Sequence, residues 1–160
     1  MFGLTPLGLF HTAIGLIAVG AGLAALVRDK RISPANTLGK VYLIATLVTA
    51  LSALGIFQHG GFGPAHGLAI VTLVALAIAA VAANTRLFGA ASRYVETVAY
   101  SATFLFHMIP GVTESSTRLV GAPMFASPEA PALKAANGVL LLAFLIGATL
   151  QVRWLRRTPA

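Results

Sequence analysis

Long apolar stretches that carry almost no charge are the feature that most constrains this chain. Of its 160 residues, 58% are hydrophobic and only 9% are charged, whereas a soluble domain usually carries about a quarter charged residues. A helix that crosses a membrane needs roughly 20 mostly apolar residues. Five segments meet this requirement, at about 5–27, 38–57, 65–83, 94–109 and 131–152. The sequence therefore predicts an all-α integral membrane protein, an antiparallel bundle of five transmembrane helices that forms a single domain over residues 1–160.

Proline and capping residues mark several of the predicted helix ends. Thr5 is suited to cap the first helix, with Pro6 at its first position. Pro110 is expected to end the fourth helix, because proline inside a helix removes a backbone donor. Residues 111–130 would then form an outer loop. Glu129 would stand just before the fifth helix, where a carboxylate suits the positive end of the helix dipole.

The basic residues predict the direction in which the helices cross the membrane. Cytoplasmic loops carry an excess of Lys and Arg. One set of loops and helix ends holds Arg28, Lys30, Arg31, Lys40, Arg86, Arg93, Arg153, Arg156 and Arg157. The opposite set holds only Arg118 and Lys134. We therefore expect the N-terminus outside and the C-terminus in the cytoplasm, and we interpret the net charge of +7 as a topology signal, with no nucleic-acid partner.

Several kinds of chemistry are excluded or disfavoured. The chain has no cysteine, which excludes disulfides, thiolate catalysis and iron–sulfur ligation. Its single aspartate, Asp29, lies on the cytoplasmic side, so a Ser/His/Asp acyl-transfer site is not indicated. The glycines between His59 and His66 are followed by no Walker lysine and predict a tight turn between helices. No catalytic residue is predicted.

All four histidines fall in the outer half of the predicted bundle. His11 lies early in the first span and His107 near the outer end of the fourth, while His59 and His66 flank the turn between the second and third. Ionisable residues inside a membrane usually mark a functional site, and imidazole is a common ligand of heme iron and of other transition metals. Hydrogen bonding to headgroups, carbonyls or water is the alternative role for each ring.

One segment resembles a family of small bacterial membrane proteins. The stretch LGKVYLIATLVTALSALGIFQHGGFGPAHGLAIVTLVAL, residues 38–76, is similar to the uncharacterised family catalogued as domain of unknown function 2306, and HMIPGVTESSTRL, residues 107–119, resembles its recurring end to the fourth span. Members tend to carry a histidine early in the first span, as at His11, and a GGFGPFH-like turn, as at residues 60–66. The resemblance implies a multi-pass protein of the bacterial inner membrane, and it brings no established activity. The arrangement is also similar to small b-type cytochromes.

The first functional hypothesis is a redox metal centre near the periplasmic face, with heme b favoured. His11, His66 and His107 are candidate ligands, with His59 in reserve. Two imidazoles would be axial, and a third could hydrogen-bond a propionate or a quinone. Arg118 could pair with heme propionates, since a guanidinium suits a carboxylate. Electrons would pass to or from a quinone or a periplasmic redox protein.

Two alternatives stay open at this point. The first is a bare zinc, copper or iron ion held by His11, His66, His107 and Glu114, because three imidazoles and a carboxylate make a plausible first coordination shell. The second is a non-catalytic accessory or assembly subunit of a larger membrane complex, or a homodimer, for which the apolar helices and small-residue faces are suited.

Overall fold

The computed structural model describes residues 5–57, 61–118, 124–125, 127 and 129–158. These residues form five α-helices and a short 3-10 turn at Gly89–Ala91, with no strand among them. The helices are α1 (Pro6–Asp29), α2 (Thr37–Ala53), α3 (Pro64–Asn84), α4 (Ser92–Arg118) and α5 (Pro131–Arg157). The predicted all-α class is confirmed for the described part of the chain.

Three of these helices are long and apolar enough to cross a membrane, which indicates a membrane protein. They are α1, α3 and α5, while α2 is apolar but has only 17 residues. Large apolar side chains such as Leu16 and Val27 are mostly exposed, whereas Thr46 and Thr103 are completely buried. The surface is thus apolar and the interior contains hydroxyl groups. This arrangement suits a lipid environment, in which polar groups must find hydrogen-bond partners inside the protein.

Neighbouring helices run in opposite directions. At one end, which we call the basic end, the ammonium group of Lys30 lies 5.9 Å from the Trp154 ring, and the Arg93 guanidinium donates a hydrogen bond of 3.1 Å to the Thr158 carbonyl. The C-termini of α1 and α5 and the N-terminus of α4 therefore meet there. At the other end, which we call the histidine end, the ring centroids of Phe57 and His66 lie 4.8 Å apart.

The helices α1 to α4 surround a common interior, and α5 packs mainly against α4. Opposite helices reach each other across this interior through side chains: the Tyr42 phenol on α2 lies 2.7 Å from the Thr103 hydroxyl on α4. The Tyr42 ring is fully buried. The ring fits there because Gly22 on α1 has no side chain. A Cβ atom at this position would lie 2.7 Å from the Tyr42 ring and 2.8 Å from the Phe104 ring.

The helix ends agree with the predictions at α1 and differ at α4 and α2. The Thr5 hydroxyl accepts a hydrogen bond of 3.1 Å from the Gly8 amide, which confirms the predicted cap. The prediction that the fourth helix ends at Pro110 is wrong, because α4 continues through this proline to Arg118. Proline is tolerated inside membrane helices when neighbouring helices or local adjustments satisfy the freed backbone groups, so Pro110 alone does not fix the end of α4.

Two further boundaries change as a consequence. The predicted outer loop at 111–130 loses its first eight residues to α4, and only part of the remainder lies within the described residues. The second helix ends at Ala53, four residues before the predicted limit at Phe57.

Candidate functional site

A row of polar side chains on α2 is the framework of the candidate site. Tyr42, Thr46, Thr49 and Ser52 follow one another at spacings of four, three and three residues, so they share one helix face. The first three are buried and the fourth is half-buried. In a helix whose opposite face is apolar and exposed, this row turns toward the interior of the bundle.

His11 contacts this row from α1, at the positions nearest the histidine end. Its Nδ1 atom lies 3.1 Å from the Thr49 carbonyl oxygen and 3.1 Å from the Ser52 hydroxyl. A carbonyl can only accept a hydrogen bond, so Nδ1 carries the proton and donates to it. The neutral ring then keeps its lone pair on Nε2. A hydrogen bond from the second ring nitrogen to a carbonyl is typical of histidines that bind metals.

His107 contacts the same row from α4. Its Nε2 atom lies 3.0 Å from the Thr46 hydroxyl, and its ring meets the Tyr42 ring edge-on with centroids 6.1 Å apart. Because Thr46 and Thr49 are one helical turn apart, the two histidines approach neighbouring turns of α2. The rings of His11 and His107 are close enough to interact electrostatically.

Two hydroxyl groups complete the interior around these rings. The Thr103 hydroxyl donates to the Tyr100 carbonyl at 2.7 Å, so the Tyr42 phenol must donate the bond that joins it to Thr103. The Thr49 hydroxyl is buried without a hydrogen-bond partner among the described residues. It lies between Thr46, which contacts His107, and Ser52, which contacts His11. A polar group is therefore available between the contacts of the two rings.

Glu114 and Arg118 extend α4 beyond His107. Glu114 is exposed, lies two turns after His107 and is within range of an electrostatic interaction with His11. The backbone of Arg118 forms the end of α4, and its side chain lies outside the described part of the structure. His59 also lies outside the described residues.

His66 occupies a separate environment at the start of α3. Its side chain is 4% exposed, and its ring contacts those of Phe57, with centroids 4.8 Å apart, and Phe62, with centroids 5.1 Å apart. The Gly63 amide donates a hydrogen bond of 3.2 Å to Nδ1. Since Nδ1 accepts this bond, the proton of the neutral ring is on Nε2. That atom is buried without a partner among the described residues.

These positions divide the predicted ligands into two groups. His11 and His107 both contact the polar row of α2. The His66 ring instead contacts two phenylalanine rings, and its free nitrogen, Nε2, carries a proton and has no lone pair for a metal. Within the described ranges, no three His, Asp or Glu side chains lie together in a way that could hold a metal ion. Two imidazoles are thus brought together, and the full set of three with Glu114 is not.

The polar row on α2 was not identified from the sequence as a whole. This otherwise apolar segment carries Tyr42, Thr46 and Thr49 at helical spacing. That spacing is the signal by which the interior face of α2 could have been found.

The class of protein defined by these features is an all-helical protein with apolar candidate spans and a polar interior. No family model, no curated protein and no solved structure matches the chain. The resemblance drawn from residues 38–76 therefore stays a prediction.

Proposed function

We propose that the protein crosses the bacterial inner membrane five times, with its N-terminus outside and its C-terminus in the cytoplasm. The gathering of basic residues toward one end supports this orientation. The helices α2 and α4 are the two that length and hydropathy do not mark as spans. α2 is apolar but shorter than a full span, and α4 directs polar residues such as Thr103 into the interior, which lowers its average hydropathy.

We propose that the chain holds one heme b between His11 and His107 and serves in electron transfer. The observation that supports this is the approach of two imidazoles, from α1 and α4, to adjacent turns of α2. Heme iron needs only two axial protein ligands, whereas a bare zinc site needs three or four. The two histidines that approach adjacent turns of α2 therefore match the two protein ligands of a heme iron.

The ring nitrogens are suited to this role in different ways. His11 donates from Nδ1 to the Thr49 carbonyl, which orients the ring and leaves Nε2 as the ligand atom. A neutral imidazole always keeps one lone pair, so His107 would bind through Nδ1, or through Nε2 if it gave up its hydrogen bond to Thr46. Heme would supply one-electron chemistry, and the buried Thr49 hydroxyl would be a polar partner beside it.

An absorption spectrum tests this proposal directly. Protein produced under heme-replete conditions and purified in detergent should show a Soret band with reducible b-type features. His11→Ala and His107→Ala should each lose most of the bound heme, because each removes one axial ligand. His66→Ala is the matched control and should keep it. Wild-type protein without a Soret band, or equal loss in all three variants, would overturn the proposal.

A role as a subunit of a larger complex is the second candidate. No residue in an 18-residue apolar stretch of α5 is fully buried, and α5 packs mainly against α4. Such a helix offers a surface to a partner helix as readily as to lipid. Copurification of a defined membrane complex, with its activity intact after all four histidines are replaced by alanine, would favour this role over the heme site.

A further inference from the structure

The buried Nε2–H group of His66 is the polar group that the proposed heme site does not use. Its proton position follows from the hydrogen bond that Nδ1 accepts from the Gly63 amide. The side chain of His66 is only 4% exposed. Its Nε2–H group nevertheless has no hydrogen-bond partner among the described residues. A buried donor without an acceptor is costly, and nearly all such groups in proteins are paired. An acceptor from outside the chain would remove this cost.

The surroundings of His66 restrict what that acceptor can be. The ring is flanked by Phe57 and Phe62, whose own side chains are 58% and 71% exposed at the histidine end. One donor between aromatic rings is too little to stabilise a desolvated anion, which needs several donors or a counter-charge. A neutral carbonyl oxygen needs only one donor. A flat ring that carries such a carbonyl would also stack against the exposed phenylalanines.

We infer that His66 donates its Nε2–H hydrogen bond to a carbonyl oxygen of a membrane-dissolved quinone, with Phe57 and Phe62 in contact with the quinone ring. The choice of a quinone rests on the proposed redox function, in which it would be the electron partner. The presence of an acceptor site rests on His66 alone. The start of α3 adds to it, because the positive end of a helix dipole favours a partially negative oxygen.

The test uses the full chain with ¹⁵N-labelled histidine in nanodiscs made of diether lipid, which has no ester carbonyl. Titration with a short-chain ubiquinone should shift the Nε2–H resonance of His66 downfield in a saturable manner. The same shift in diester nanodiscs without quinone would assign the site to the lipid carbonyl and overturn the inference. A shift caused by inorganic phosphate would assign an anion site and overturn it too, as would no saturable shift with quinone.

Two variants separate the donor from the rings. His66→Phe keeps an aromatic ring and removes the donor, so the quinone should bind roughly tenfold more weakly. If this variant does not fold, Phe62→Leu keeps the imidazole and should weaken binding severalfold through loss of ring contact. Unchanged affinity in the variant that folds would contradict the inference.

The failure of this inference can be told apart from the failure of the heme proposal. The same titration in His11→Ala, which should lack heme, is expected to give the same His66 shift. Saturable binding in that variant supports the quinone site whatever the spectrum of the wild type shows. Loss of the shift in His11→Ala, with the protein still folded, would mean that His66 is not an independent quinone site.

Discussion

Replacement of Gly22 by alanine tests the packing that places α2 against α1 and α4. The added Cβ atom would lie 2.7 Å from the Tyr42 ring and 2.8 Å from the Phe104 ring, closer than nonbonded carbon atoms approach. Tyr42 is fully buried, so it has little room to move. Overpacking of a well-packed core costs about 1–3 kcal/mol. Alanine in a helix gains about 0.5–1 kcal/mol over glycine, which offsets part of that cost.

Gly20→Ala provides the matched control on the same helix. A Cβ atom at Gly20 meets nothing within 4 Å, so this variant should show only the gain from helix propensity. The propensity term is common to both variants. Gly22→Ala should therefore be less stable than Gly20→Ala by about 1–3 kcal/mol.

Denaturant unfolding of both variants, purified in the same detergent and followed by circular dichroism, measures this difference. Phe104→Ala should also cost less in the Gly22→Ala background than in the wild type, because it relieves the clash and contacting residues are not additive. Equal stability of Gly20→Ala and Gly22→Ala, with no coupling to Phe104, would refute the proposed packing of α1 against Tyr42.

Two further predictions concern hydrogen bonds between helices. Tyr42→Phe removes the donor to Thr103 and should lower the free energy of unfolding by about 1 kcal/mol. The loss should be smaller when Thr103→Val is already present, because the bond is then already broken. Additive losses of the two variants in denaturant unfolding would contradict that bond. The Gln151 side chain accepts from Ser101 and donates to the Lys30 carbonyl, both at 2.9 Å, so Gln151→Leu should cost about 1–3 kcal/mol. Its effect should appear as faster hydrogen exchange at the basic end, and unchanged exchange there would argue against the link.

The sequence allowed the apolar helices and the cap of α1 to be predicted. Thr5 and Pro6 begin α1 as expected, and Pro131 is the first residue of α5. These signals are local, because a cap hydroxyl and a fixed proline φ act within one turn. Pro110 did not predict the end of α4, because the cost of a proline inside a helix depends on what surrounds it. α4 continues for eight residues beyond this proline, to Arg118, where proline alone would indicate a stop.

The partner of each histidine could not be predicted for a different reason. The sequence placed His11 and His107 at similar depths, but it did not specify which helices are neighbours. His66 stood equal to them as a candidate ligand, although its Nδ1 atom accepts a bond from Gly63 only three residues away. The capping interaction at the start of α3 fixes that ring locally. His66 therefore differs from His11 and His107 because it caps the start of a helix. The number of histidines on one side of the membrane does not reveal this difference.

Polar pairs add to the ring packing of Tyr42 and Phe104 where α2 and α4 meet. Apolar side chains gain little from one another inside lipid, which is as apolar as they are. Threonines such as Thr72 bond to their own helix and specify no neighbour. By contrast, Tyr42 with Thr103, and Thr46 with His107, join α2 to α4 across the interior. These two pairs bring His107 to the helix that already holds His11, so the hydroxyl groups of α2 are what assemble the histidine pair.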